Sequence, residues 1–213
     1  MPNDDEQVTW HPEGIASGAE AALVSLRDAS LLENFYLAGG TGLALRFGHR
    51  LSRDLDFFAS DAFDEQRLLQ GMQRLPGFSL TATAPQTVHA VVQGTKVSFL
   101  GYPYPVLFPP VPYLKVPVAD PRDIACMKIS AIASRGARRD FVDLYVAAQR
   151  LGLAELLRLF DRKFVQTHYS KLHILKSLTF FEDAEKEPMP HLLLPLEWDE
   201  IMRFFLLEVP RLQ

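Results

Sequence analysis

Cysteine is almost missing from this chain. Cys126 stands alone among 213 residues, which excludes an intramolecular disulfide and fits a reducing cytosol, so the expected compartment is cytoplasmic. No apolar run reaches the length of a membrane span, and Met1–Glu6 is polar and acidic, unlike a signal peptide. Positive charge is not in excess. Lys and Arg number 22 against 26 Asp and Glu, a formal net charge of −4, so bulk charge gives no argument for nucleic-acid binding and a local basic patch would have to supply it. Histidines are scattered. His168 and His173 miss the i,i+4 spacing of a helical metal pair, His49 has no partner in sequence, and His11, His89 and His191 are isolated. Acidic residues also have a gap, with no Asp or Glu between Glu65 and Asp120.

What is present is an ordinary globular composition, 48% hydrophobic and 23% charged, long enough to bury a real core. Met1–His11 reads as a loose arm. Apolar spacing at Ala19, Ala22, Leu23 and Leu26 predicts a helix over 16–32. Phe35–Ala38 and Leu55–Phe58 read as short strands, with a helix from Thr41 to about Gly48 between them. Residues 64–75 read as a helix. Three strands follow, 78–83, 88–92 and 96–100, the last two forming a hairpin through Gln93-Gly94-Thr95. Residues 101–121 hold seven of the 15 prolines and read as a rigid connector with one short strand around Leu114–Val116. Asp120-Pro121-Arg122-Asp123 is a strong helix start. Gly136 ends that helix, and 138–149, 153–164, 169–182 and 197–207 read as further helices. The first half is therefore α/β and the second all-α, with a boundary near 110–120, divided as 1–115 and 116–213.

The most informative stretch is residues 39–58, GGTGLALRFGHRLSRDLDFF. Asp54 and Asp56 are two apart on a strand and project to one face. Adjacent carboxylates repel and call for a compensating cation. Oxygen ligands alone suit Mg²⁺ or Mn²⁺, held by one or two carboxylates plus substrate phosphates. The Gly39-Gly40-Thr41 turn lets a phosphate approach the backbone, and N–H groups opening a helix can receive it. The competing reading is a glycine turn followed by a solvated charged strand, which fits poorly with Leu55 and Phe57 between and after the aspartates. Arg46, Arg50 and Arg53 crowd this approach, either as phosphate-binding cations or as a solvated helix end. A second basic cluster contains Lys128, Arg135, Arg138 and Arg139 with Asp140 and Asp143. Lys128 and Arg135 share a helix face, and Asp140 can pair with Lys128 or an arginine. The cluster serves a phosphate or forms surface ion pairs of small energetic weight.

Taken together, Leu37–Arg46, Gly48–Phe58, Asp123–Ile132 and Arg135 with Arg139–Tyr145 resemble the nucleotidyltransferase toxins of AbiEii type, within the DNA polymerase β-like superfamily. The resemblance covers about half the chain. It implies an α+β fold: a nucleotidyltransferase-like mixed sheet with flanking helices, followed by a helical C-terminal part completing the cleft. It implies Asp54 and Asp56 as metal ligands and Gly39, Gly40, Thr41, Arg50 and Ser52 as nucleotide-binding. It makes Lys128 a nucleotide-contacting and catalytic lysine, and Asp140 a later essential aspartate. An NTP would be the substrate, with Mg²⁺ or Mn²⁺ as cofactor, tRNA or another RNA as a plausible acceptor, and a cognate antitoxin as partner. One departure matters. The superfamily's third carboxylate, on the strand after the hairpin, corresponds here to Ser98. A serine is neutral and replaces a carboxylate neither as base nor as hard anionic ligand. Two expectations follow: Asp140 supplies the missing charge, or the chain is a catalytically weak module that binds nucleotide or RNA.

Overall fold

The computed structural model describes residues 8–212, and the first seven residues of the expected arm lie outside them. Its strands are β1 (Tyr36–Leu37), β2 (Leu55–Ala59), β3 (Ser79–Ala84), β4 (Thr87–Val92), β5 (Thr95–Gly101), β6 (Val111–Tyr113) and β7 (Val116–Val118). They form one mixed sheet in the order β3-β4-β5-β2-β1-β7-β6. The helices are α1 (Ser17–Asp28), α2 (Gly39–Phe47), α3 (Glu65–Met72), α4 (Pro121–Arg135), α5 (Arg138–Leu151), α6 (Leu153–Lys163), α7 (Lys171–Ser177), α8 (Glu182–Glu185) and α9 (Trp198–Glu208). The fold is α+β with a helical C-terminal half. No helix among the described residues is long and apolar enough to cross a membrane.

Alternation along β2 divides its side chains between two environments. Leu55 and Phe57 join Val97, Phe99, Val88 and Ala90 in a core closed by Leu23 and Leu26 of α1 and Leu68 and Met72 of α3. Phe58 faces the other way, into a larger core with Tyr36, Ile124, Ile129, Phe141 and Leu144. Asp56 shares the Phe58 side by the two-residue period. The outermost strand, β3, is exposed along its length, so the open end of this sheet face is not covered by helices.

Local signals explain the boundaries. The Asp120 carboxylate accepts from the Arg122 N–H, Pro121 opens α4, and Gly136 closes it in the left-handed region at φ 59°. The β4–β5 turn uses Gln93 at φ 51° and Gly94 at φ 78°, the paired left-handed geometry of a tight hairpin.

Three expectations needed correction. Residues 169–182, expected as one helix, hold α7 only to Ser177, a turn follows, and α8 begins separately at Glu182. Leu114 and Lys115, expected in a strand, form the turn between β6 and β7 at φ 48° and 67°. Neither is glycine or asparagine, so no turn signal marked the hairpin, and residue 115, where the sequence reading divides the chain, lies in this turn. The arm expected to reach His11 is packed from Trp10 onward. The His11 N–H donates to Leu45 O at 2.8 Å, and Trp10 lies against Tyr113 with ring centroids 5.1 Å apart.

The proline-rich connector is held by a buried ion pair. Lys163 Nζ donates to Asp123 Oδ1 and to Pro105 O, both at 2.7 Å. The same carboxylate accepts from the N–H groups of Leu107 and Phe108 at 3.1 and 3.0 Å.

Candidate functional site

The site assembles where α2 leaves β1. Ala38 precedes α2, and its side chain cannot cap it. The first N–H with a helical partner is that of Gly42, which donates to Ala38 O. The N–H groups of Gly39, Gly40 and Thr41 therefore open the helix without intrahelical acceptors. Gly39 sits at φ +61°, and a Cβ there would lie 2.8 Å from Asp56 Oδ2. The Asp56 carboxylate is thus packed against the glycine turn. A Cβ on Gly40 would run into the Arg50 guanidinium, so close approach favours glycine at both positions and backbone geometry requires it at Gly39.

Asp54 is exposed and immediately precedes β2. Its carbonyl accepts a short hydrogen bond from Thr41 Oγ1, and Thr41 Oγ1 also bonds Ser52 Oγ at 2.7 Å. Ser52 is tied further by its N–H to Gly14 O and its carbonyl to Ala16 N–H. Both hydroxyls expected to contact nucleotide are buried in this loop support. They leave the helix-opening N–H groups as the ligand-facing part of the turn.

The second cluster comes to the same place through α4 and α5. Asp143, one turn beyond Asp140 on α5, is its hub. Arg50 grips Asp143 bidentately, Nε–Oδ1 2.6 Å and Nη2–Oδ2 2.9 Å. His49 Nε2 donates to Asp143 Oδ1 at 2.7 Å. Lys128 Nζ reaches Asp143 Oδ2 at 2.6 Å and Asp140 Oδ1 at 2.8 Å. Arg135 completes the set, with Nε 2.8 Å from Asp140 Oδ2. Both aspartates are fully buried, and Lys128 and Arg50 are each 5% exposed. The two carboxylates orient three cations. Lys128 has three donors and uses two here, leaving one for a ligand.

Electrostatics follow from burial and pairing. Burial works against ionised Asp143, but Arg50 and Lys128 outweigh it and hold the carboxyl well below its ordinary value. Burial likewise opposes the charge of Asp140, and Lys128 and Arg135 reverse the effect. Burial lowers the His49 pKa despite its bond to Asp143, which keeps the ring neutral with its proton on Nε2. Three cations against two anions leave this cluster with one net positive charge (3 − 2 = +1). Depressed carboxyl pKa values contribute stability that is complete above the unfolded value near 4 and is lost as pH falls through the lower folded values. Melting temperature is therefore expected to fall steeply below about pH 4, and less steeply in Asp140→Asn. Thermal denaturation followed by circular dichroism across pH 2–7 checks this.

The sequence reading assigned Arg50, Lys128 and Asp140, and the structure brings them into one network. It also changes what Asp140 can do. Both of its oxygens are engaged by Lys128 and Arg135, so its charge is already offset. Two residues were missed. Asp143 lay inside the quoted motif without a role, and its i,i+3 spacing from Asp140 on α5 was the available signal. His89 was set aside as isolated. Its β4 position pairs it with Ser98 on β5, and Ser98 pairs with Asp56 on β2.

Comparison with known proteins identifies the family and the fold. The family model described as the nucleotidyl transferase AbiEii toxin of type IV toxin–antitoxin systems matches residues 21–105 and 98–212. The chain belongs to the AbiEii family. An uncharacterised protein of Aquifex aeolicus (strain VF5) is 36% identical over 190 residues, covering 86% of this chain and 90% of that protein. MenT4, a nucleotidyltransferase toxin of Mycobacterium tuberculosis H37Rv, shares the fold with a TM-score of 0.56 at 18% identity, over 93% of this chain and 87% of its own. A protein of H. pylori described as a candidate nucleotidyltransferase gives 0.50 at 15% identity, over 92% and 97%. At these identities the structural matches speak to fold alone. This AbiEii-family chain carries its acidic pair, glycine turn and cationic network on that fold.

Proposed function

We propose that this chain is a metal-dependent nucleotidyltransferase that moves an NMP from an NTP to an acceptor hydroxyl, acting in the cytoplasm as the toxin of a toxin–antitoxin pair. One observation carries the reading. The Asp56 carboxylate lies against Gly39 at the uncapped start of α2, with Arg50 over Gly40 and Lys128 in the same ion network.

The donor set fits a hard divalent cation. Asp54 and Asp56 make no ion pair among the described residues, whereas the neighbouring Asp140 and Asp143 are fully engaged. No group of three or more His, Cys, Asp or Glu that could hold a metal ion occurs among the described residues; Asp54 and Asp56 would hold Mg²⁺ or Mn²⁺ with the remaining positions filled by substrate phosphates and water. Such an ion supplies Lewis-acid stabilisation of the α-phosphate and of the entering and leaving oxygens. The protein's own groups do the rest. N–H groups of Gly39, Gly40 and Thr41 receive a phosphate. Lys128 and Arg50, held in place by Asp143, neutralise charge that develops on the phosphates. Asp140 keeps Lys128 and Arg135 aimed at the cleft.

The proposed acceptor is RNA, with tRNA one member of that class, and the proposed partner is a cognate antitoxin. The test is incubation with each α-labelled NTP, Mg²⁺ and total cellular RNA. Label transferred to RNA with one preferred NTP, and lost on chelation, is the expected result. Transfer that is indifferent to chelator, or none with any NTP, overturns the reading.

The alternative, a weak nucleotide- or RNA-binding module, draws on Ser98, which stands in register with Asp56 where a third carboxylate would be. NTP binding without pyrophosphate release favours that alternative.

A further inference from the structure

We propose that His89, acting through Ser98, accepts the proton of the attacking hydroxyl and so does the work of the carboxylate this chain lacks. The inference rests on the transferase reading of the site. Asp56, Ser98 and His89 occupy one row across three adjacent strands, with Asp56 opposite Ser98 and Ser98 opposite His89. Paired residues point to the same sheet face, and neighbouring strands lie about 4.8 Å apart, so the three side chains form a short line running outward from the candidate metal ligand.

Ser98 Oγ is 3.2 Å from His89 Nδ1. Both side chains are half-buried rather than sealed, and the outermost strand β3, beyond His89, is exposed. An acceptor can therefore reach them from the open end of the sheet.

The strands carry Asp56 on β2 and Lys96 on β5, two residues before Ser98, on this face. Arg135 lies within the field of Asp56, and Arg50, Lys128, Asp140 and Asp143 form the ion network beside the glycine turn. The strand β3 brings no titratable residue. Helix α3, with Glu65 and Arg67, packs on the opposite face through Leu68 and Met72. With no Asp or Glu between Glu65 and Asp120, His89 is the base these strands offer.

In the tautomer that carries its proton on Nε2, His89 Nδ1 accepts from Ser98 Oγ–H, and the lone pairs of Ser98 Oγ are left for the acceptor hydroxyl. In the step, the acceptor hydroxyl passes its proton to Ser98 Oγ as Ser98 passes its own to His89 Nδ1. The acceptor oxygen forms its bond to the α-phosphorus, and the bond from that phosphorus to the bridging oxygen breaks. Pyrophosphate leaves with the electron pair, and the imidazolium then returns its proton to water. A cross-strand Ser–His pair of purely structural worth would not depend on ring basicity.

The experiment compares wild type, His89→Gln, His89→Ala, Ser98→Ala and the double variant His89→Gln/Ser98→Asp. Each is assayed for transfer from the α-labelled NTPs to total cellular RNA, beside Asp56→Asn. The expected loss in kcat for His89→Gln and for Ser98→Ala is about 10²–10⁴-fold, the usual range for general acid–base catalysis. KM for NTP should not change. Added imidazole should restore His89→Ala, and the new carboxylate should restore the double variant. Circular dichroism checks that each variant is folded.

Wild-type turnover in His89→Gln, with Asp56→Asn inactive, overturns this proposal and leaves the transferase reading standing. A slow His89→Gln that neither imidazole in the Ala variant nor Ser98→Asp repairs also overturns it. A wild-type chain inactive with every NTP overturns both.

Discussion

Asp54→Asn and Asp56→Asn should each lower transfer by at least about a thousandfold, comparable to or beyond the loss of a strong transition-state contact. An amide keeps the size and shape of the carboxylate but loses the charge that a hard cation needs. Asp56 is the more sensitive of the two by position, because its Oδ2 is pressed against Gly39. Asp54 stands more openly at the start of β2 and also contributes to the field that favours the Arg50 cation. Neither side chain bears an ion pair among the described residues, so both variants should melt close to wild type. Turnover measured beside thermal denaturation separates lost chemistry from lost structure.

Asp143→Asn should have the opposite signature. Its carboxylate is completely buried and faces Arg50, Lys128 and the His49 ring. Removing that charge leaves buried Arg50 without its paired carboxylate and Lys128 with Asp140 alone, which Arg135 also shares. Breaking one partner of a buried ion pair costs about 3–5 kcal/mol, which in a domain of this size is roughly 6–20 °C in Tm. Asp140→Asn should cost less, because one of its partners, Arg135, has a side chain 54% exposed that water can serve. Activity should also fall in Asp143→Asn wherever the protein remains folded, since Lys128 and Arg50 lose the group that aims them. A melting temperature unchanged in Asp143→Asn would show that this network is not what holds α5 against the glycine turn.

How much of this was legible in the sequence depends on the range of each signal. Asp120 with Pro121, Gly136, and the Gln93-Gly94 turn are local, and each marked the boundary the structure has. The β6–β7 hairpin did not announce itself, because Leu114 and Lys115 adopt left-handed conformations that their side chains disfavour. The family motif pointed to Lys128 and Asp140 together. It gave no sign that Asp143 would collect Arg50 and His49 from |i−j| = 93 and 94 residues away, since a buried ion network is a property of packing. His89 was the least readable. Its meaning depends on the register of β4 on β5 and of β5 on β2, and strand order across a parallel pairing cannot be seen in a linear string.

The same register sharpens the question of catalysis against binding. A chain with Ser98 and nothing behind it would lack a base beside the acidic pair. A chain with Ser98 bonded to His89 does not.

The most direct measurement of the central claim, that Asp54 and Asp56 form a metal-dependent transfer site, is pyrophosphate release from each NTP as Mg²⁺ is titrated, with RNA present. The account predicts release that rises with Mg²⁺ to saturation, stops on chelation, and is absent from Asp56→Asn at every Mg²⁺ concentration. NTP bound by the wild-type chain with no pyrophosphate released from any of the four, or release unaltered in Asp56→Asn, would contradict it.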